Sequence, residues 1–576
     1  MSRTLRLVSV AVVMVLAMAP VFSAVVAAPA EQVFRFAHFG PVPTLDPHFH
    51  TQGKWVDMIA LFEGLTQLDK DFKVIPNMAE SWTISPDGLV YTFKLRPSLK
   101  WSNGEKITAE DFKYSWIRVL DPATKGASFD PGLWSIKNAK DFSTGKITDS
   151  ELVGIKVVDP LTLQVTLANP TPDFLTTLAL PSFFPVPRKV IEKHGADWWK
   201  PENFVGNGAF VPKSYNPNTE AMLVRNENYW GERPTLDKVI ISFNFDTQQI
   251  IAYKNNEREM AYVGAADLAL VEKDPVLKSE VRDVPVSTVE YLVMMRSENP
   301  VLDDVRIRQA IAMGFDREKI ARVVHKNTWL PANSLFSPII PGCDKDGGIK
   351  SDIAKAKKLL AEAGYPDGKG FPDLYFLTGP TPSPGVLAIA EELKANLGIN
   401  VKIDNKDWGL YGKQEKELQP KTWVGFANNS LATAYPDMGY QLNEFSIKEM
   451  KAWGLRTEDW KEYDQLDRFE LPKAAQAGDA ATEKKIEARM SELLEKTAPE
   501  AKEYERLINA AVKETNAEKR LALYQKAEQI RMDFAAKIPT FYGVNKWLVK
   551  PYVKGLVQNP FRVGFPLYLK TVSIAK

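Results

Sequence analysis

One cysteine, Cys343, stands in a chain of 576 residues. A lone cysteine cannot close an internal disulfide, so stability has to come from burial. Histidine is nearly as scarce, with His38, His48, His50, His194 and His325 the full set. None of them forms the HExxH pattern that sets two metal ligands on one helix face. A GxSxG nucleophile elbow is missing too. There is no block of basic residues and the formal net charge is +1, which gives no support to a nucleic-acid or membrane-surface binder. Past residue 30 no apolar run reaches the length that spans a bilayer.

The first thirty residues differ in kind. Arg3 and Arg6 make a short positive region, and Leu7 to Ala28 carries no charge. Ala28 and Ala30 put small residues at the two positions a signal peptidase reads. Cleavage is expected after Ala30, and residues 1–30 are set apart as a signal peptide. An uncleaved membrane anchor is the competing reading; the small-residue site and the polar Glu31 and Gln32 behind it argue against it. No cysteine stands at the cleavage site to carry a lipid, so a freely soluble periplasmic protein is expected.

What is there looks globular. Apolar residues make up 45% and charged residues 25%, ordinary values for a chain that packs a core. The length suggests three or four average domains. Fourteen tryptophans suit both cores and ligand walls, being large apolar surfaces with one donor each. Leu89, Tyr91, Phe93 and Leu95 alternate with mostly polar neighbours, the period of a half-buried strand, after a turn at Asp87-Gly88. Ile155 and Val157, then Leu163, Val165 and Leu167, repeat the pattern around Asp159-Pro160. Thr108 with Asp111 three residues on starts a helix whose face is Phe112, Trp116 and Val119.

Further along, Ser351 is expected to cap a helix with Ile353, Ala356 and Leu360 inward, ended by Gly364. A strand over Leu374–Thr378, a helix over Val386–Leu397 stopped by Gly398, and a strand over Ile399–Ile403 make a βαβ unit with parallel strands. Such sheets hold ligands at the carboxyl ends of their strands. Residues 447–534 are charged and helical, with one stripe of Tyr504, Leu507, Ile508 and Ala511 and another of Leu523, Ala527, Ile530 and Phe534. The tail from Ile538 returns to strand-like composition.

The chemistry-bearing motifs are thin. His48 and His50 could share one side of a strand, but no matched ligands stand beside them. Gly364 to Gly370 faintly resembles a phosphate loop, yet it follows a helix and lacks the Ser or Thr after its lysine. A pair of catalytic carboxylates stays open among 72 acidic residues. No metal and no cofactor is expected.

An ordered series of short motifs is more specific. It runs from TLDPH at Thr44–His48 and LFEGL at Leu61–Leu65 to AESW at Ala79–Trp82, YTFKLR at Tyr91–Arg96, KWSNG at Lys100–Gly104 and DFKYSW at Asp111–Trp116. It continues with NGA at Asn207–Ala209, Arg225-Asn226 with Tyr229-Trp230-Gly231, DVRIRQA at Asp304–Ala310, KKLLAEAG at Lys357–Gly364 and GINV at Gly398–Val401. Together they resemble the extracellular solute-binding proteins of oligopeptide, dipeptide and nickel ABC importers, the family 5 solute-binding proteins.

The resemblance implies an α/β periplasmic-binding-protein fold with two lobes. Lobe I would comprise residues 31–75, 200–297 and 543–576, with an extra domain, 76–199, inserted in it. Lobe II would be 298–542, and the crossings would fall near Arg296–Asn299 and Phe541–Gly543. The lobes would close about a solute by hinge motion, as a monomer that hands it to ABC permease subunits. No catalysis is implied, and a secreted enzyme is the distant alternative.

It also implies a site. Peptide-binding members hold the peptide amino group on an aspartate placed just before a tyrosine; the matching position here is Ala434, before Tyr435. Asn428 falls where some members carry an arginine for the peptide carboxylate, and Leu431 where a tryptophan is usual. Burying a peptide terminus without a counter-charge costs several kcal/mol, although Asp437 could supply one from another direction. Oligopeptide or dipeptide is the first expectation, and a neutral oligosaccharide or other non-peptide solute the alternative. Candidate ligand-binding residues are Thr51, Gln52 and Trp55 in lobe I, Trp408, Tyr411, Asn428, Asn429, Leu431, Ala434, Tyr435 and Asp437 in lobe II, and Tyr542 at the second crossing.

Overall fold

The computed structural model describes residues 31–38, 43–49, 56–124, 131–243, 245, 248–295, 297–344, 347–415, 417, 419–433, 435–439, 442, 459, 462–463, 465–477, 479–497, 499–535, 537–562 and 564–575. Three main sheets organise them. The first joins the strands Val33–Ala37, Lys238–Ser242, Glu220–Arg225 and Phe210–Asn216 in that order. Its core gathers Phe34, Phe36, Phe62, Trp198, Trp547 and Phe565.

The second sheet is an antiparallel set with the order Ala79–Ile84, Val90–Leu95, Thr162–Thr166, Ile155–Asp159. It is built from the alternating residues expected of it, with Tyr91, Phe93, Leu95, Leu163 and Val165 all inward. The helix Ala109–Leu120 covers them, burying Phe112, Trp116 and Val119. Asp111 Oδ2 accepts from the Thr108 N–H at 2.7 Å, satisfying a donor that the helix start leaves open.

The third sheet runs Met260–Val263, Lys537–Val549, Val281–Met294, Gly425–Leu431, Leu374–Thr378, Val401–Asn405, with Trp329–Pro331 also paired to Lys537–Val549. Its βαβ unit is the expected one: Leu374–Thr378 and Val401–Asn405 are parallel, joined by the helix Pro384–Leu397. Two long strands, Val281–Met294 and Lys537–Val549, tie its ends together. Val281–Pro285 pairs with Val544–Leu548, and Val289–Val293 pairs with Tyr542–Lys537. Between these stretches the register shifts, leaving Val286, Ser287 and Thr288 opposite Gly543.

One local expectation is corrected. Asp352, not Ser351, caps the helix Ile353–Glu362, accepting from Lys355 N at 2.9 Å. Ser351 Oγ instead accepts from the Arg317 backbone N and Nη1, both at 3.3 Å. The helix Ala517–Phe534 lays its expected stripe on the helical core, with Ala527 buried and Leu523, Ile530 and Phe534 packed against it, and it also buries Tyr524, Glu528, Arg531 and Met532. Two polar side chains thus share the inward face with the stripe; Glu528 meets Ser334 Oγ in a short hydrogen bond. Tyr504, Leu507, Ile508 and Ala511 do face inward. They form a helical cluster that also takes in Phe561 from the tail, with Phe72 packed against it.

Candidate functional site

Leu374–Thr378 and Gly425–Leu431 are parallel, so both deliver their carboxyl ends to one edge. Leu374–Thr378 stops pairing at Ala427. Asn428 to Leu431 therefore run on against one neighbour alone, the long strand Val281–Met294, with Asn428 opposite Leu292 and Leu431 opposite Val289.

Trp408 stands at this edge. It opens the helix Trp408–Gln414, whose cap is Asp407, with Oδ1 accepting from Gly409 N at 2.9 Å and Leu410 N at 3.1 Å. Its indole is 70% exposed, unusual for so large an apolar ring. It lies edge-on to Tyr411, with centroids 5.6 Å apart. A Cβ on Gly379, the residue after Leu374–Thr378, would sit 2.4 Å from the indole, so only glycine leaves the ring its place.

Tyr411 is buried and donates its hydroxyl to the Asn428 carbonyl at 2.7 Å; burial, then the charge of Glu415, pushes its phenol up. Asn429 Nδ2 donates to Glu415 Oε1 at 2.8 Å, and Asn429 Oδ1 accepts from Ser430 N. Leu431 packs with Val289, Ala332 and Tyr542. Tyr542 uses its hydroxyl on one residue, donating to Ser334 O at 2.9 Å and accepting from Ser334 N at 3.0 Å. A ligand could meet its ring but finds that hydroxyl already engaged.

The next loop is held from two sides. Ser287, in the shifted stretch of the long strand, donates to Thr433 O at 3.0 Å and accepts from Thr433 N at 3.1 Å. Tyr435 is buried and donates to Asp173 Oδ2 at 2.6 Å. Asp173 follows the strand Thr162–Thr166 of the second sheet, so this bond links separate parts of the molecule. Asp437 Oδ1 accepts from Gly439 N. Burial, then the charges of Asp437 and Asp173, raises the Tyr524 phenol. Thr51, Gln52, Trp55 and Ala434 lie outside the described residues.

The structure thus brings together Trp408, Tyr411, Asn428 and Asn429 along one edge, Leu431 and Tyr542 beside it, and Tyr435 and Asp437 on the loop beyond. Sequence reasoning missed Asp173, Ser287, Gly379 and Glu415. Their roles come from partners far away in the chain, which no local pattern signals. Among the described residues no group of three or more His, Cys, Asp or Glu is placed to hold a metal ion. His48 is buried in a short 3-10 helix rather than on a strand. Its Nε2 faces Phe184 O at 3.0 Å and its Nδ1 faces Arg118 Nη1 at 2.7 Å. His50 lies outside the described residues.

A sheet joined through two long paired strands, with a polar and aromatic edge beside their junction, defines a two-lobed solute-binding protein. The model of the bacterial extracellular solute-binding proteins, family 5, matches residues 73–451. The chain is 31% identical to the probable deoxycholate-binding periplasmic protein YgiS of Escherichia coli (strain K12), covering 94% of each. It is 30% identical to the periplasmic oligopeptide-binding protein OppA of Salmonella typhimurium (strain LT2), covering 93% of this chain and 91% of the relative. Among solved structures, the unliganded open form of the periplasmic murein tripeptide-binding protein MppA superposes with a TM-score of 0.73 at 26% identity, covering 95% of this chain and 98% of that one. Haemophilus influenzae OppA in complex with the peptide RPPGFSPFR gives 0.68 at 26% identity, covering 95% and 99%.

The chain belongs to the family 5 bacterial extracellular solute-binding proteins. It is the solute-binding component of an ABC importer, and its fold is that of a binding protein that closes two lobes about a solute.

Proposed function

We propose that this protein captures an oligopeptide or dipeptide in the periplasm and delivers it to a peptide-type ABC permease. The observation that carries the reading is the edge at Asn428–Leu431, a strand paired on one side only. An extended peptide can add to such an edge through main-chain hydrogen bonds, with pockets reading alternate side chains. The OppA relative is named for oligopeptides, which supports the same cargo. Ligand-contacting roles are assigned to Thr51, Gln52, Trp55, Trp408, Tyr411, Asn428, Asn429, Leu431, Ala434, Tyr435, Asp437 and the ring of Tyr542. The protein acts as a monomer, without turnover of its ligand, after cleavage behind Ala30.

The lobes follow the same proposal: residues 31–75, 200–297 and 543–576 as lobe I, 76–199 as its extra domain and 298–542 as lobe II. The first crossing is proposed near Arg296–Asn299, at the lobe boundary after residue 297. The second is proposed at Phe541–Gly543, and the register shift between Pro285 and Val289, opposite Gly543, supports it.

The exposure of Trp408 favours one alternative, a neutral oligosaccharide or other non-peptide solute stacked on the indole. Mass spectrometry of ligand released from natively purified protein decides between them, checked by thermal upshift with the ligand found. Peptides are expected; a released sugar or lipid with no upshift from peptides would retire the peptide reading.

A further inference from the structure

Glu290 sits on the long strand Val281–Met294, two residues from the core side chain Leu292, opposite Ser430 on one side and Phe541 on the other. Ser430 is exposed and belongs to the open edge described above, while Phe541 is buried in the core. Glu290 is therefore on the rim, partly accessible, at the carboxyl edge where the two long strands change partners. Among the described residues its carboxylate has neither a hydrogen-bond nor an ion-pair partner. An acidic side chain so placed should have been paired or replaced, because an uncompensated carboxylate is costly away from water.

The surroundings supply no counter-charge. Arg317 spends its Nε on Pro539 O at 2.9 Å. Lys537 lies over the Tyr291 ring, 5.1 Å from its centroid, and Tyr291 points to the opposite face. His325 stands against Phe541 with centroids 4.7 Å apart, and burial pulls it toward the neutral form. Glu415 is engaged with Asn429. Burial alone pushes the Glu290 carboxyl up, to about 7, with no charged neighbour contributing.

We propose that Glu290 contacts the cationic nitrogen of the bound ligand, taking the part that Ala434 cannot take. This rests on the reading that the ligand is a peptide with a free amino terminus. When the ammonium group arrives, the carboxylic O–H bond breaks and its proton goes to water. The ligand keeps its own proton, and an ammonium–carboxylate pair forms. Near neutral pH this releases roughly half a proton per ligand.

The test incubates the protein with a mixed tripeptide library, half of it N-acetylated, and identifies retained peptides by mass spectrometry. Wild type should prefer free amino termini by roughly tenfold or more, the value of a buried charged contact. Glu290→Gln should retain both halves about equally, and Glu290→Asp should keep a weaker preference. Calorimetry of the best retained peptide in buffers of different ionisation enthalpy should show proton release in wild type and none in Glu290→Gln. Matching far-UV spectra and thermal midpoints guard against misfolding. Peptides retained without regard to acetylation, or a preference that survives Glu290→Gln, overturns the assignment while leaving peptide capture intact. Retention of no peptide at all removes the peptide reading and this role with it.

Discussion

Burial without a partner makes Glu290 a measurable liability in the unliganded protein. Its carboxyl titrates near 7 when folded, against an ordinary value of 4.5. The folded state thus binds the proton more tightly than the unfolded chain does. The cost is absent below pH 4.5, grows as pH rises, and is complete above pH 7, on the order of 3 kcal/mol by linkage. Glu528 is raised to about 7 as well, again by burial, so wild type carries a second contribution of the same sign. Chemical denaturation from pH 4.5 to 8 should show Glu290→Gln gaining on wild type as pH rises, with the Glu528 slope left in both. Equal stability differences at pH 4.5 and 8 would show that the surroundings of Glu290 do not raise its carboxyl.

At the scale of elements, the βαβ unit was legible because its signals are local. Gly398 is one of them: its φ is +69°, and a Cβ there would sit 2.3 Å from Asp367 O. Its N–H closes the helix Pro384–Leu397 on Leu393 and Lys394. Gly398→Ala should cost about 1–2 kcal/mol or more, from the left-handed backbone and the collision together, read as a lower denaturation midpoint. An unchanged midpoint would mean the turn relaxes freely. The hairpins around Gly88 and Asp159 were legible for the same reason, since alternation and turn residues sit within ten positions of each other. The helix Ala517–Phe534 was legible in its apolar stripe but not in its full inward face. Its inward face includes Glu528 and Arg531, and hydropathy counts both as solvent-facing. Ser351 was misread because Asp352, one residue on, caps equally well, and the choice depends on Arg317, which claims the serine. The site divides likewise: the motif order pointed to the loop from Asn428 to Asp437, but Asp173 and Ser287 reach it only through the tertiary fold.

At the scale of the whole molecule, the question is what holds the loop carrying Tyr435 against the extra domain. Besides the strand pairing at the crossing and the Ser287–Thr433 bonds, two contacts bear on it. Phe561 is buried in the helical cluster of lobe II and stacks edge-on with Phe72 at 5.2 Å. Burying one such ring is worth about 1.5–3 kcal/mol. The Tyr435–Asp173 bond is a single charge-assisted hydrogen bond at 2.6 Å, worth about 1.5–3 kcal/mol before the side chains' ordering is subtracted. The apolar contact lies beside the junction of the long strands, where a small rotation moves atoms little. The Tyr435 bond lies at the loop, and lobes that part must break it. Losing it should shift the population between arrangements rather than unfold either lobe. Tyr435→Phe and Asp173→Asn are therefore expected to raise the unliganded radius of gyration in small-angle scattering. Both should also weaken ligand affinity by about three- to tenfold, because a smaller fraction of molecules is then competent to bind. The thermal midpoint should move little. Affinity and scattering unchanged in both variants would mean the bond is incidental to the arrangement.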